Sequence, residues 1–590
     1  MQKRKLIIVG LVASLLIIAG AVVVPLLRQV RVIIPAYQAP RQIVYLQQGW
    51  TANQRQQFYH TAQGTRLLPY DWFMALEQPC LKLTACEPFA AKNYLGRFGF
   101  LESRPDPKLN PDALPVGFAR QENFHDPDTG QTYPVAGLTC AACHTGELHY
   151  GNYAVRIEGG PAMIEISEFQ KALGIALGLT RRFPFRFDRF AARVLGPNAS
   201  EEKKQALKDR LDKSLETALA ELKATDQAKI YTNPAGFART DALTRIGNQV
   251  FAVDMKKDAN YAPANAPVRY PQIWDASWFT WVQYNSSIAD PLVRNVGEAL
   301  GVRAAAKLYG PDAGRYESSI DVAGLKKLED LLSGPAPYQG LTSPKWPAVF
   351  PALDTAKVAR GAELYKQHCE RCHLPPVERL QADLASEKPR YWVENAQKRR
   401  FLRVTDVPVD RVGTDPNEAM DFISRKADSG DLRLGTVSAA VGLDTVTKGI
   451  VSSFFEKMKF TPEQRIEWSG YRDPDANPVR AEPIYKARPL NGIWAVAPYL
   501  HNGSVPDLYL LLSPQSERPD RFWLGSKQFD TIKVGYSTEK IDGGYLYDVR
   551  RRGSSNTGHE FKDGPRGKGV IGPALPPDDR WAIIEYLKSI

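Results

Sequence analysis

Cys140, Cys143 and His144 stand as Cys-x-x-Cys-His in "VAGLTCAACHTGELHY", and Cys369, Cys372 and His373 repeat that spacing in "HCERCH". Two thiols so placed can add across the two vinyl groups of a haem, and the imidazole that follows them then binds iron from one face. A zinc site joining the two pairs would leave both trailing histidines without a role and would close a loop from Cys143 to Cys369. A redox dithiol wants a βαβ context and no histidine after it. Two covalently bound haem c groups are therefore the expected cofactors. Cys80 and Cys86, with no histidine behind them, are expected to form a short-loop disulfide.

An iron held by one histidine has a sixth position, and its occupant decides between electron transfer and the binding of dioxygen or peroxide. The chain has 8 histidines. His559, in "SSNTGHEFKDG", sits late and in a loop before the terminal helix, where a sixth ligand for the iron of His373 is expected; His501, in "APYLHNGSVPDL", is the rival or takes a structural or propionate-side role, and Met458 is a weaker candidate. No histidine follows His144 at a convincing distance. His149 is too close to reach the opposite face, and Met163 is more readily a core residue. The metal-binding set is thus His144, His373 and His559, with the iron of His144 expected to keep a vacant face.

Helices must position these groups. "DTAKVARGAELYKQHCERCH" reads as a helix capped by Asp354 and running into the second motif, and "PPDDRWAIIEYLKSI" as a closing helix opened by proline. A helix before the motif and one at the chain end resemble the class I cytochrome c fold, with Gly361 allowing a close crossing. The expected fold class is mainly α: two cytochrome c-type haem domains after an N-terminal transmembrane anchor. Their expected bounds are 1–30 for the anchor, 48–341 for the first haem domain with a helical insertion at about 200–229, and 343–590 for the second. In the insertion Ser200 caps, and Leu207, Leu211, Leu215 and Leu219 form one stripe.

At 590 residues the chain is too long for one core, and 43% hydrophobic with 24% charged residues is ordinary for a globular protein. Lys3, Arg4 and Lys5 precede an uncharged run from Leu6 to Leu27, which reads as an uncleaved membrane helix or a cleaved secretory signal. Either exports the chain, and the expectation is a bacterial inner-membrane protein with its bulk in the periplasm. The net charge of +11 in an exported chain argues for an acidic partner or an anionic membrane surface rather than nucleic acid, while the scatter of the basic residues reads most of them as solvated surface.

The stretches "GLTCAACHTGELHYG", "GGPAMIEISEFQKAL", "YPQIWDASWFTWVQYNSS", "LNGIWAVAPYLHNGSVPDL" and "NTGHEF" resemble, in that order, the di-haem cytochrome c peroxidase superfamily and most closely its rubber oxygenase-like branch. The resemblance implies a periplasmic oxidoreductase with a catalytic first haem and a six-coordinate second haem that relays electrons from a periplasmic donor, and it supports His559 as axial ligand. It also implies dioxygen or hydrogen peroxide as co-substrate and, for the oxygenase branch, an apolar unsaturated substrate. Two departures weaken ordinary peroxidase chemistry: Gly159 and Gly160 replace the capping histidine, and Arg294 falls where the family has a Gln, with Glu298 able to stand in for the family's acid. Arg294 is then a candidate for steering oxygen species, and Trp281, with Trp274, Trp278 and Phe279, for lining the pocket or relaying electrons. The alternatives are an electron carrier without turnover and a protein-modifying di-haem enzyme with a tyrosine as sixth ligand.

Overall fold

The structure is a computed structural model and describes residues 32–39, 42–229, 233–473 and 475–590. The first motif is threaded between strands. Strand Thr132–Leu138 pairs antiparallel with Phe118–His125 and with Leu68–Pro69, and after the single turn Cys140–Cys143 the chain enters strand Thr145–Tyr150. That strand pairs antiparallel with Tyr153–Glu158, which takes Gln42–Tyr45 as a parallel neighbour on its other edge. The cysteines thus hang from the junction of two small sheets.

The second motif is held by helices. Asp354 accepts from the backbone N–H groups of Ala356 and Lys357, each at 3.1 Å, and starts helix Thr355–His368, which ends at Cys369. It crosses the closing helix Pro577–Ser589, which begins with proline at its first position as the sequence reading expects. At the crossing a Cβ on Gly361 would lie 2.0 Å from the carbonyl oxygen of Ala582, so only glycine lets the backbones meet.

The expectation of a mainly α chain is corrected: 39% of it is helical, and many short strands pair in two- and three-stranded sheets. These strands escape a sequence reading because most run two to four residues, too short for alternation to register, and several find partners far along the chain. The expected anchor, Leu6 to Leu27, lies outside the described residues, and among those described no helix is long and apolar enough to cross a membrane. The single-pass anchor, and the inner-membrane and periplasmic placement drawn from it, are therefore not supported.

The largest core cluster draws from both sides of residue 342: Trp50, Leu148 and Trp274 belong to it together with Trp494, Tyr499 and Ile584. The insertion forms helix Glu201–Gln227 with Leu207 and Leu211 buried, but Leu219 is 62% exposed, so the leucine stripe packs only in its first half. Cys80 and Cys86 are joined as a disulfide.

Candidate haem site

One cavity of about 630 Å³ is lined by residues of both motifs: Cys140 and His144 from the first, and Cys369, Cys372 and His373 from the second. Each motif histidine is aimed by the same device. The Nδ1–H of His144 donates to the carbonyl of Pro271 at 2.8 Å, and that of His373 donates to the carbonyl of Arg488 at 2.9 Å. A backbone acceptor on Nδ1 fixes the tautomer and leaves Nε2 as the metal-binding nitrogen. Burial pulls His144 down to about 4 and lowers His373 too, which keeps both imidazoles neutral, the form that binds metal.

Opposite His373 stands His559, with ring centroids 6.1 Å apart. Two metal–imidazole bonds of about 2 Å each, together with the inner halves of both rings, would fill that distance. His559 is held there deliberately. It adopts a φ of +48°, its N–H donates to Val412 at 2.9 Å, and the buried Arg518 donates to the carbonyls of Gly558 and His559 at 2.8 and 3.1 Å. A non-glycine residue in the left-handed region persists only where its surroundings over-determine it.

No imidazole faces His144 in this way among the described residues. The ring nearest it, Tyr270 at 6.4 Å, turns its hydroxyl toward the carbonyl of Arg239 and does not line the cavity. The cavity wall near Cys140 carries Arg294, Glu298 and Gln283 instead.

These residues fit two covalently held haems. Nδ1 of His559 and Nε of Arg488 are buried without a partner. Arg269, Lys486 and Arg488 line the interior, and burial with Arg488 alongside holds Lys486 well below the usual lysine range. Among the described residues Glu298 is the one carboxylate of the lining, so anionic propionates would meet unmatched cations. The sites would be Cys140, Cys143 and His144 for one haem, and Cys369, Cys372, His373 and His559 for the other.

The remaining sequence candidates fall into place as follows. His501 lines the cavity but stacks on Tyr485, centroids 4.2 Å apart, rather than facing His373. Arg294 lines it too, with its guanidinium committed to Glu329 and its Nε donating to Asn295 at 3.0 Å. Trp281 does not line it; Arg480 lies over its ring at 3.9 Å. Trp274, Trp278 and Phe279 turn away as well, the two indoles donating to the carbonyls of Asn491 and Ser333, while Ala276 and Ser277 between them form the wall. His149 pairs with Glu147 at 3.0 Å, Met163 is in the core, and Met458 is 52% exposed.

Sequence reasoning missed Gln283, whose Nε2 donates to Glu298 at 3.1 Å, and Arg488. Gln283 has φ +69°, a turn geometry that one sequence does not announce. Arg488 lies in "IYKARPLNG", between buried strand and turn, where a cation so close to "APYLHNGS" was the available signal.

A family model described as "RoxA-like, cytochrome c-like" matches residues 484–523, the stretch that holds Tyr485, Lys486, Arg488, His501 and Arg518. A Sinorhizobium fredii protein named "Uncharacterized protein y4iJ" is 42% identical over 603 residues, covering 98% of each chain. A second from the same organism, "Uncharacterized protein y4iM", is 27% identical over 54% of this chain and 63% of its own. The chain belongs to the family of y4iJ, and its RoxA-like, cytochrome c-like segment implies haem c as its redox group.

Proposed function

We propose that this chain is an oxidoreductase carrying two covalent haem c groups, in which the iron held by His144 keeps a free position for dioxygen or hydrogen peroxide while the iron held by His373 and His559 transfers electrons. The observation that carries this reading is the asymmetry just described: His559 stands 6.1 Å from His373, and nothing comparable stands opposite His144 among the described residues. When bound, haem c supplies the iron chemistry that binds the oxidant and moves electrons.

The chain's own residues supply the rest. Pro271 and Arg488 orient the two proximal imidazoles. Burial raises the Glu298 carboxyl above its ordinary range, against the opposing charge of Arg294, and Gln283 donates to one of its oxygens, which sets a titratable carboxyl at the cavity wall. A carboxyl so raised is suited to hand a proton to a co-substrate in the cavity. Arg294, neutralised by Glu329, positions this wall rather than offering a free cation. Ile273, Ala276, Val282 and Leu332 give the cavity an apolar flank that suits an apolar unsaturated co-substrate.

The test is carbon monoxide difference spectroscopy on the reduced holoprotein. Binding at one of two haems supports the reading. No binding at either makes the chain an electron carrier.

A further inference from the structure

Among the described residues, the cavity lining is most exposed at one end. Of its lining residues, those exposed are Gln367, Arg371, Arg411 and Arg566, and all lie at the second motif; around Cys140, His144, Arg294 and Glu298 the wall is buried or half-buried. Arg371 sits between Cys369 and Cys372, hence on the edge where the thioethers form. The carbonyl of Arg411 accepts from Gly569 N–H at 3.1 Å, which ties it to the loop that carries Arg566.

Several other exposed arginines among the described residues are ion-paired, as these three are not. Arg360 pairs with Asp579, Arg379 with Glu370, Arg521 with Asp548 and Arg552 with Asp421. Arg371, Arg411 and Arg566 have no side-chain ion pair or hydrogen bond among the described residues, although exposed Asp410 and Asp563 are their near neighbours in sequence. Lys366 and Lys568 add exposed positive charge on the same two segments. Haem propionates do not account for the ring: they leave the porphyrin on the edge away from the thioethers, and Arg269, Lys486 and Arg488 await them inside. Unpaired cations around a redox group's solvent edge are what a carboxylate-rich protein surface would meet, steering it to the site.

The geometry points to this arginine-ringed mouth as the docking face for an acidic one-electron carrier protein, which reaches the second haem from solvent. The inference rests on the reading that the second motif carries haem. The step is a single electron: the reduced carrier is oxidised by one electron, the iron held by His373 and His559 is reduced by one, and no bond or proton moves.

Stopped-flow reduction of the oxidised holoprotein by a reduced plant-type [2Fe–2S] ferredoxin, an acidic donor, tests it. The second-order rate should fall at least about tenfold as salt rises from about 0.02 M to about 0.5 M. The double variant Arg411→Glu with Arg566→Glu should lose about tenfold at low salt and most of the salt dependence. Arg411→Gln with Arg566→Gln should lie between. Dithionite should reduce all of them alike. A wild-type rate indifferent to salt, or a double variant as fast as wild type, overturns the docking face. Fewer than two haems per chain in a pyridine haemochrome assay, or haem that dithionite leaves oxidised, overturns the underlying reading instead.

Discussion

Arg488 donates through its guanidinium to the carbonyl of Gln272, while its own carbonyl accepts the Nδ1–H of His373. The residue before Gln272 is Pro271, whose carbonyl accepts the Nδ1–H of His144. One residue therefore anchors both proximal histidines, by backbone on one side and side chain on the other, and it also grips the carbonyl of Trp274 at 2.7 Å. Arg488→Met keeps the backbone acceptor and frees the segment around Pro271. Turnover is expected to fall about tenfold or more, with the magnetic signal of the iron at His144 altered and that at His373 preserved. An unchanged first signal would show that the guanidinium plays no part in aiming His144.

Glu298→Gln removes the titratable carboxyl of the cavity wall and keeps the shape. Reaction with hydrogen peroxide, followed by the haem spectrum, should slow by about 10²- to 10⁴-fold, while carbon monoxide still binds. Because burial raises the carboxyl, wild-type activity should decline as pH climbs through that raised value, and the variant should lack this alkaline limb.

Gly361 is a stability prediction. Its virtual Cβ meets Ala582 O at 2.0 Å, so Gly361→Ala must push the two helices apart and should cost about 1–3 kcal/mol in denaturant unfolding. A neutral result would mean that the crossing is slack.

Glu418 gives a pH dependence away from the cavity. Burial, with Asp241 and Asp421 nearby, pushes its carboxyl up to about 8. The folded chain keeps a proton that the unfolded chain releases above about 4.3, so this group's contribution is fully present below that pH and is lost as pH rises toward about 8, at up to about 1.4 kcal/mol per pH unit. Glu418→Gln should flatten the fall in unfolding free energy between pH 5 and pH 8. An identical slope in both proteins would contradict the placement of that proton.

Both Cys-x-x-Cys-His motifs, the capped helix before the second, the closing helix and the need for glycine at 361 were legible because each is a local signal. The sheets that carry the first motif were not, since Gln42–Tyr45 finds its partner at Tyr153–Glu158 and no short-range pattern announces the pairing. The resemblance implied that Trp274, Trp278, Phe279 and Trp281 line a pocket or relay electrons, with core packing as the alternative. In the fold the turn Ala276–Trp278 sends Trp274 and Trp278 to backbone acceptors and leaves the small residues facing the cavity. The position of Glu298 was readable in chain order, but its partner Gln283 was not, because the two meet only after the chain turns at a strained residue.

Electron paramagnetic resonance of the oxidised holoprotein, before and after His559→Ala, addresses the coordination asymmetry directly. The wild type should show one high-spin and one low-spin ferric haem per chain, and the variant two high-spin haems. Two low-spin centres in the wild type, or a low-spin signal that survives the loss of His559, would contradict it.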